Sequence, residues 1–145
     1  MNHVEHAEQV EGRPLHLLYL GRNHPLKGLE YLETAVRQIQ ESTCSTCSTR
    51  LKIELKVVSN AFGEEKERIW DWCDVLILPT LTDNFGLVIA EALERGKRVI
   101  TTDGAPAWGD GNDYGGRLIY LKGYRDGSDE KRVELLRKAL ERICR

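Results

Sequence analysis

Two turns in this sequence carry charged side chains where an apolar stretch gives way to a helical one. The first runs Gly21-Arg22-Asn23-His24-Pro25-Leu26-Lys27-Gly28. A helix N-terminus presents unpaired amide donors and a partial positive charge, and here Arg22 and Lys27 add two cations at the same place. Such a turn, with Gly21 at its start, suits a diphosphate. It is neither the GxGxxG fingerprint of dinucleotide enzymes nor a Walker loop, and the plain alternative is two ordinary surface cations. The second turn, Thr80-Leu81-Thr82-Asp83-Asn84-Phe85-Gly86, again opens a helix. Its amides near Phe85, Gly86 and Leu87 would face a ligand, and Gly86 allows close approach to the backbone. Asp83 is either a ligand contact or a helix N-cap. Glu91 lies within Leu87-Val88-Ile89-Ala90 and Ala92-Leu93, where an unpaired carboxylate is costly. Ligand hydroxyls are one set of donors for it, and an i,i+4 pair with Arg95 is the other reading.

These turns need a scaffold that brings them to one edge. The chain alternates strands and helices nearly throughout, which predicts an α/β fold: one Rossmann-like domain over 1–145, with a parallel sheet of about five strands and helices on both faces. Leu15 to Leu20 is apolar apart from His16 and reads as a buried strand. Lys27 to Glu41 carries Leu29, Leu32, Ala35, Val36 and Ile39 at helical spacing. Leu51 to Val58 alternates as a second strand. Glu64 to Cys73 is a short helix with Ile69, Trp70 and Cys73 inward, and Asp74 to Leu78 is the third strand. Asn84 to Arg95 is a helix stopped by Gly96. Val99 to Thr101 and Leu118 to Leu121 are further strands, separated by a Gly-rich loop. Ser128 to Arg145 is the last helix, with a capping hydroxyl and early acids. In an open parallel sheet ligands collect at the carboxyl ends of the strands, and both charged turns fall there. Residues 1–13 read as a tail and 42–50 as a polar linker.

Composition limits the function. The 145 residues are 41% hydrophobic and 30% charged, as expected of a soluble globular domain. Lysine and arginine number 21 against 23 acids, a net charge of −2, so no strong field recommends nucleic acid as a partner. The acidic N-terminus lacks the apolar core of a signal peptide. No apolar run reaches the roughly 18 to 20 residues needed to span a bilayer. Of the four cysteines, Cys44 and Cys47 have the spacing of a zinc half-site, but they lie in a repeated Ser-Thr-Cys triplet without further well-placed ligands. Cys73 reads as core, and free thiols are expected for these and Cys144. Asp110 to Asp113 begins like a calcium loop, yet position twelve would be Leu121, so calcium is set aside.

The segments GRNHPLKG, GEEKERIWDWCDVLILPT and LTDNFGLVIAEALERGKRVITTDGAPAW occur in the order seen in one family. From Leu15 to Trp108 the chain resembles the C-terminal domain of GT-B glycosyltransferases of family 4, a retaining group with many lipopolysaccharide and capsule enzymes. The resemblance implies that Arg22 and Lys27 bind a donor diphosphate. It implies that Asp83 contacts the donor sugar, that Glu91 contacts the ribose hydroxyls, and that amides of Asn84 to Leu87 hold sugar and phosphate. The first acid is usually Glu there, and Asp83 is one methylene shorter. Members commonly carry another strand and helix around Val58 to Phe62, with base contacts nearby, which makes Ser59, Asn60 and Phe62 candidates for a base pocket. The Asp103 to Trp108 loop resembles a Gly-x-Pro-Trp turn near the donor cleft, so Trp108 walls that cleft or packs over the sheet.

The expected function is that of the nucleotide-sugar-binding domain of a hexosyltransferase-type enzyme in glycan biosynthesis. It would use a nucleoside-diphosphate sugar as substrate and no metal or other cofactor. It would work with an N-terminal GT-B half, fused or separate, in the cytoplasm or at the inner face of the membrane. The domain alone would be nearly inactive in transfer. The alternatives are a non-catalytic module that docks a separate acceptor-binding subunit, and a phosphate-binding domain of another GT-B-fold enzyme such as an epimerase.

Overall fold

The computed structural model describes residues 14–22, 24–41, 52–82 and 86–144. In chain order the elements are β1 (Leu15–Leu20), α1 (Leu29–Glu41), β2 (Ile53–Val58), α2 (Gly63–Trp72), β3 (Val75–Leu78), α3 (Leu87–Glu94), β4 (Arg98–Thr102), β5 (Leu118–Leu121) and α4 (Asp129–Cys144). A single 3-10 turn at Pro25–Lys27 precedes α1, and another at Pro106–Trp108 follows β4.

The strands form one sheet of five in the order β2-β1-β3-β4-β5, every neighbouring pair parallel. Parallel neighbours require crossover connections, here mostly helices, and right-handed crossovers put those leading in opposite directions on opposite faces. The burial pattern agrees with this. Leu17 and Tyr19 of β1 and Val75 and Ile77 of β3 pack with Leu29, Leu32, Ala35 and Ile39 of α1 and with Leu136, Ala139, Leu140 and Ile143 of α4. The alternate residues, Leu18, Leu20, Leu76 and Leu78, pack with Ile69 and Trp70 of α2 and with Ile89, Ala92 and Leu93 of α3. Strand residues alternate faces with period two, so one apolar run feeds both cores and β3 is buried at all four positions.

The sequence-based boundaries hold within a few residues, and the shifts at the element ends have identifiable causes. Lys27 does not begin α1: Gly28 takes a left-handed conformation, φ 74°, and separates the 3-10 turn from the helix. The N-cap residue of α3 is Gly86, φ 73°, rather than Asp83, so the helix starts at Leu87. Gly96, φ 73°, ends that helix as expected, with its amide bonded to the Leu93 carbonyl and Lys97 bonded to that of Ala92. Ser128 caps α4 by accepting the Lys131 amide at 3.1 Å. The expected 1–13 tail and 42–50 linker, with Cys44 and Cys47, lie outside the described residues. Among the described residues no group of three or more His, Cys, Asp or Glu could hold a metal ion, and no helix is long and apolar enough to cross a membrane.

Candidate functional site

β1 lies between β2 and β3, and the helices leaving β1 and β3 go to opposite faces. The loops after these strands therefore part at the carboxyl edge, which makes this the topological switch point where open α/β sheets place ligands. The two charged turns of the sequence are these two loops.

They touch at their bases. The Leu81 amide donates to the Leu26 carbonyl at 2.8 Å, and the Thr80 hydroxyl lies within hydrogen-bond distance of the Leu26 and Thr82 carbonyls. Gly28 sits against Pro79: a Cβ there would lie 1.9 Å from the Pro79 carbonyl oxygen, and φ is positive, so no other residue fits. On the other side Gly104 presses on the same segment, its absent Cβ 2.2 Å from the Thr80 carbonyl oxygen. Thr102 donates its hydroxyl to that oxygen and accepts the Gly104 amide. The end of β3 is thus gripped from both flanks.

In the first loop, His24 accepts the Leu26 amide through Nδ1 at 3.1 Å and so caps the 3-10 turn. Arg22 is exposed at the carboxyl end of β1, Gly21 is half-buried beside it, and Lys27 is half-buried in the last position of the turn. The second loop is described on both sides of 83–85; Asp83, Asn84 and Phe85 themselves lie outside the described residues. Gly86 is buried, and its glycine identity has a reason beyond ligand approach: φ is positive, and a Cβ would come within 3.0 Å of Ile89 and 3.3 Å of the Trp108 indole nitrogen. Leu87, the first residue of α3, is 70% exposed. Trp108 is half-buried at this corner and packs on Tyr114, ring centroids 5.9 Å apart. Tyr114 holds a left-handed φ of 54° to do so.

Glu91 does not form the ion pair with Arg95 that the sequence offered. Its carboxylate meets Lys66 of α2 at 2.8 Å and is about one-third exposed. Arg95 reaches only its backbone carbonyl and pairs instead with Glu67 at 2.8 Å. The expected pair with Arg95 is therefore replaced by a bridge between α2 and α3. Ser59 and Asn60 are exposed after β2, and Phe62 beside them is 75% exposed.

Sequence reasoning missed two contributors. Lys66 sits in the charged run Glu64-Glu65-Lys66-Glu67, where nothing marks one side chain as facing α3. Tyr124, in a Gly-rich turn, is fully buried and donates its hydroxyl to the Pro79 carbonyl at 2.8 Å. Burial pushes that phenol well above its ordinary range, so it stays a donor.

The family described as Glycosyl transferases group 1 matches residues 14–137. Among curated proteins none gives a significant match. Among solved structures the chain is similar to the 1.35 Å crystal structure of the C-terminal domain of a glycosyl transferase group 1 family protein, LpcC, from Francisella tularensis. The TM-score is 0.55 at 16% identity, over 95% of this chain and 78% of that one. That likeness establishes the fold. The family match spans most of the chain, and on it the protein belongs to the glycosyl transferases group 1 family.

Proposed function

We propose that this domain binds the nucleotide-sugar donor of a retaining glycosyltransferase. The observation that carries the reading is the pair of loops at the β1/β3 switch point, joined by the Leu81 to Leu26 hydrogen bond, in a chain of this family. Arg22, Lys27 and the first amides of α1 supply positive potential for the diphosphate. The amides that open α3 at Gly86 and Leu87, with Asp83, Asn84 and Phe85 just before them, take the sugar and its phosphate. Glu91 keeps lone pairs beyond the one that Lys66 occupies, and these accept the ribose hydroxyls. Ser59 and Asn60 meet the base.

In the transfer the anomeric carbon–oxygen bond to the diphosphate breaks and an acceptor oxygen takes its place. The acceptor's hydroxyl proton balances charge left on the released diphosphate. Arg22, Lys27 and the helix amides act where that charge grows, so their interaction strengthens towards the transition state. The acceptor site belongs to an N-terminal GT-B half, and the product is a glycan precursor made on the cytoplasmic side. These residues bind the donor without a metal.

A second reading has an observation of its own. Leu26 at 45%, Phe62 at 75% and Leu87 at 70% exposure lie after β1, after β2 and at the start of α3, on the carboxyl edge. Apolar side chains on this edge favour docking of a separate acceptor-binding half, with or without catalysis.

Calorimetric titration with UDP, GDP, ADP and their sugar conjugates, repeated on Lys27→Ala and Glu91→Ala, separates these readings. Saturable binding of one nucleotide, weakened by both changes, supports the donor site. Binding of none of them would sink it and leave the docking module.

A further inference from the structure

The carboxyl edge is tied to an element far from it in sequence. Tyr124 lies in the turn between β5 and α4, fully buried, and its hydroxyl reaches across to Pro79 at 2.8 Å. That oxygen faces Gly28, where a Cβ would stand 2.9 Å from the Tyr124 hydroxyl. Three parts of the molecule therefore meet without intervening side chains: the residue before α1, the end of β3, and this phenol.

Tyr124 is itself held. Arg132 of α4 donates Nε to the Tyr124 carbonyl at 2.9 Å, one terminal nitrogen to the Arg125 carbonyl at 2.6 Å, and the other to the Tyr31 hydroxyl at 3.0 Å. Its guanidinium also lies over the Tyr31 ring at 5.2 Å and the Tyr124 ring at 5.9 Å. Tyr31 is in the first turn of α1, so Arg132 grips that helix beside Gly28 while Tyr124 grips the strand that Gly28 touches. A planar fork with fixed donor directions does this where a flexible ammonium would not.

We propose that Tyr124, oriented by Arg132, is a positioning residue for the donor site: it sets the spacing between the loop that carries Arg22 and Lys27 and the loop that leads into α3. The proposal rests on the donor-binding reading above. Without the hydroxyl, the Pro79 carbonyl is left without this donor in a buried seam, and the seam relieves that by admitting water between Gly28 and Pro79. The diphosphate needs cations and amides from both sides at once, so a small widening weakens binding more than it weakens the fold.

The test titrates UDP, GDP and ADP into the whole chain and into Tyr124→Phe, well below the melting temperature of each. Ile143→Val, a core change at the far end of α4, serves as a control of similar stability loss. The dissociation constant of the nucleotide that binds should rise roughly tenfold in Tyr124→Phe, while Ile143→Val stays at the wild-type value. Arg132→Gln should show a rise of roughly threefold by the same widening, and it decides the matter if Tyr124→Phe gives no folded NMR spectrum. Unchanged affinity in Tyr124→Phe, or an equal rise in Ile143→Val, overturns the positioning role while the donor site stands. If wild type binds none of the three nucleotides, the donor reading fails and this role with it.

Discussion

The α1/α4 face and the α2/α3 face cover the same five strands with similar apolar cores, and they are fastened differently at their rims. On the first, Arg132, Tyr31 and Tyr124 join two helices and a turn by hydrogen bonds, one of which ends on a buried carbonyl at the carboxyl edge. On the second, Lys66 with Glu91 and Arg95 with Glu67 bridge α2 and α3 at the surface, with Arg95 5.4 Å above the Trp70 ring. Each face also buries one nitrogen without a hydrogen-bond partner, Trp70 Nε1 on the second and Arg137 Nε on the first. Ion pairs at the surface add little and yield easily, whereas a hydrogen bond that ends on a buried carbonyl fixes geometry and is costly to break. The face that carries the network also carries the helix that opens behind Arg22 and Lys27.

The largest effect should come from filling the seam. Gly28→Ala meets both a positive φ and the Pro79 oxygen at 1.9 Å, and should lose more than about 3 kcal/mol of folding free energy in urea unfolding. A loss below about 1 kcal/mol would mean that the two loops are not pressed together. Next, Leu140→Ala and Ile89→Ala, one fully buried residue on each face, should each lose about 3 kcal/mol. Equal losses confine the contrast to the rims, and a large inequality would move it into the cores.

A pH-dependent effect acts on both faces, because burial raises Cys73 on one and Tyr124 on the other. Burial pushes the Cys73 thiol, on the α2/α3 side, from 9.0 to about 12. A raised value means that the folded state holds its proton longer, so this share of stability is complete below pH 9 and falls as pH rises from 9 towards 12. The loss should be about 1.4 kcal/mol per pH unit in that window, and Cys73→Ala should flatten the profile of chemical denaturation against pH. The smallest effect belongs to the surface bridge: a double-mutant cycle with Lys66→Met and Glu91→Gln should give a coupling below about 1 kcal/mol. A coupling of several kcal/mol would show that this rim is as stiff as the other.

Much of the scaffold can be read from the sequence because its signals are local. The apolar run of β1, the helical spacing of Leu29, Leu32, Ala35 and Ile39, and the stop at Gly96 each depend on neighbours in sequence. The position of the two charged turns at one edge comes from the parallel alternation. What escapes depends on crossovers. Sequence pairs Glu91 with Arg95 one turn away, but α2 lies alongside α3 and offers Lys66. Nothing in the sequence connects Tyr124 to Pro79, because α3, β4, β5 and the loops between them intervene. The boundary at Gly28 escapes for a similar reason: its conformation is fixed by a contact with β3, while its sequence neighbours favour a helix that simply continues.

Gly28 and Gly104 hold the end of β3 between them, with no room for an added atom on either side. For anyone exchanging segments between related enzymes, that bracket marks where a graft boundary is unsafe. A junction placed within 79–82 would import a backbone whose carbonyls no longer meet these two glycines. Junctions in the turn around Gly115 and Gly116, where an added Cβ would meet nothing within 4 Å, leave the bracket untouched.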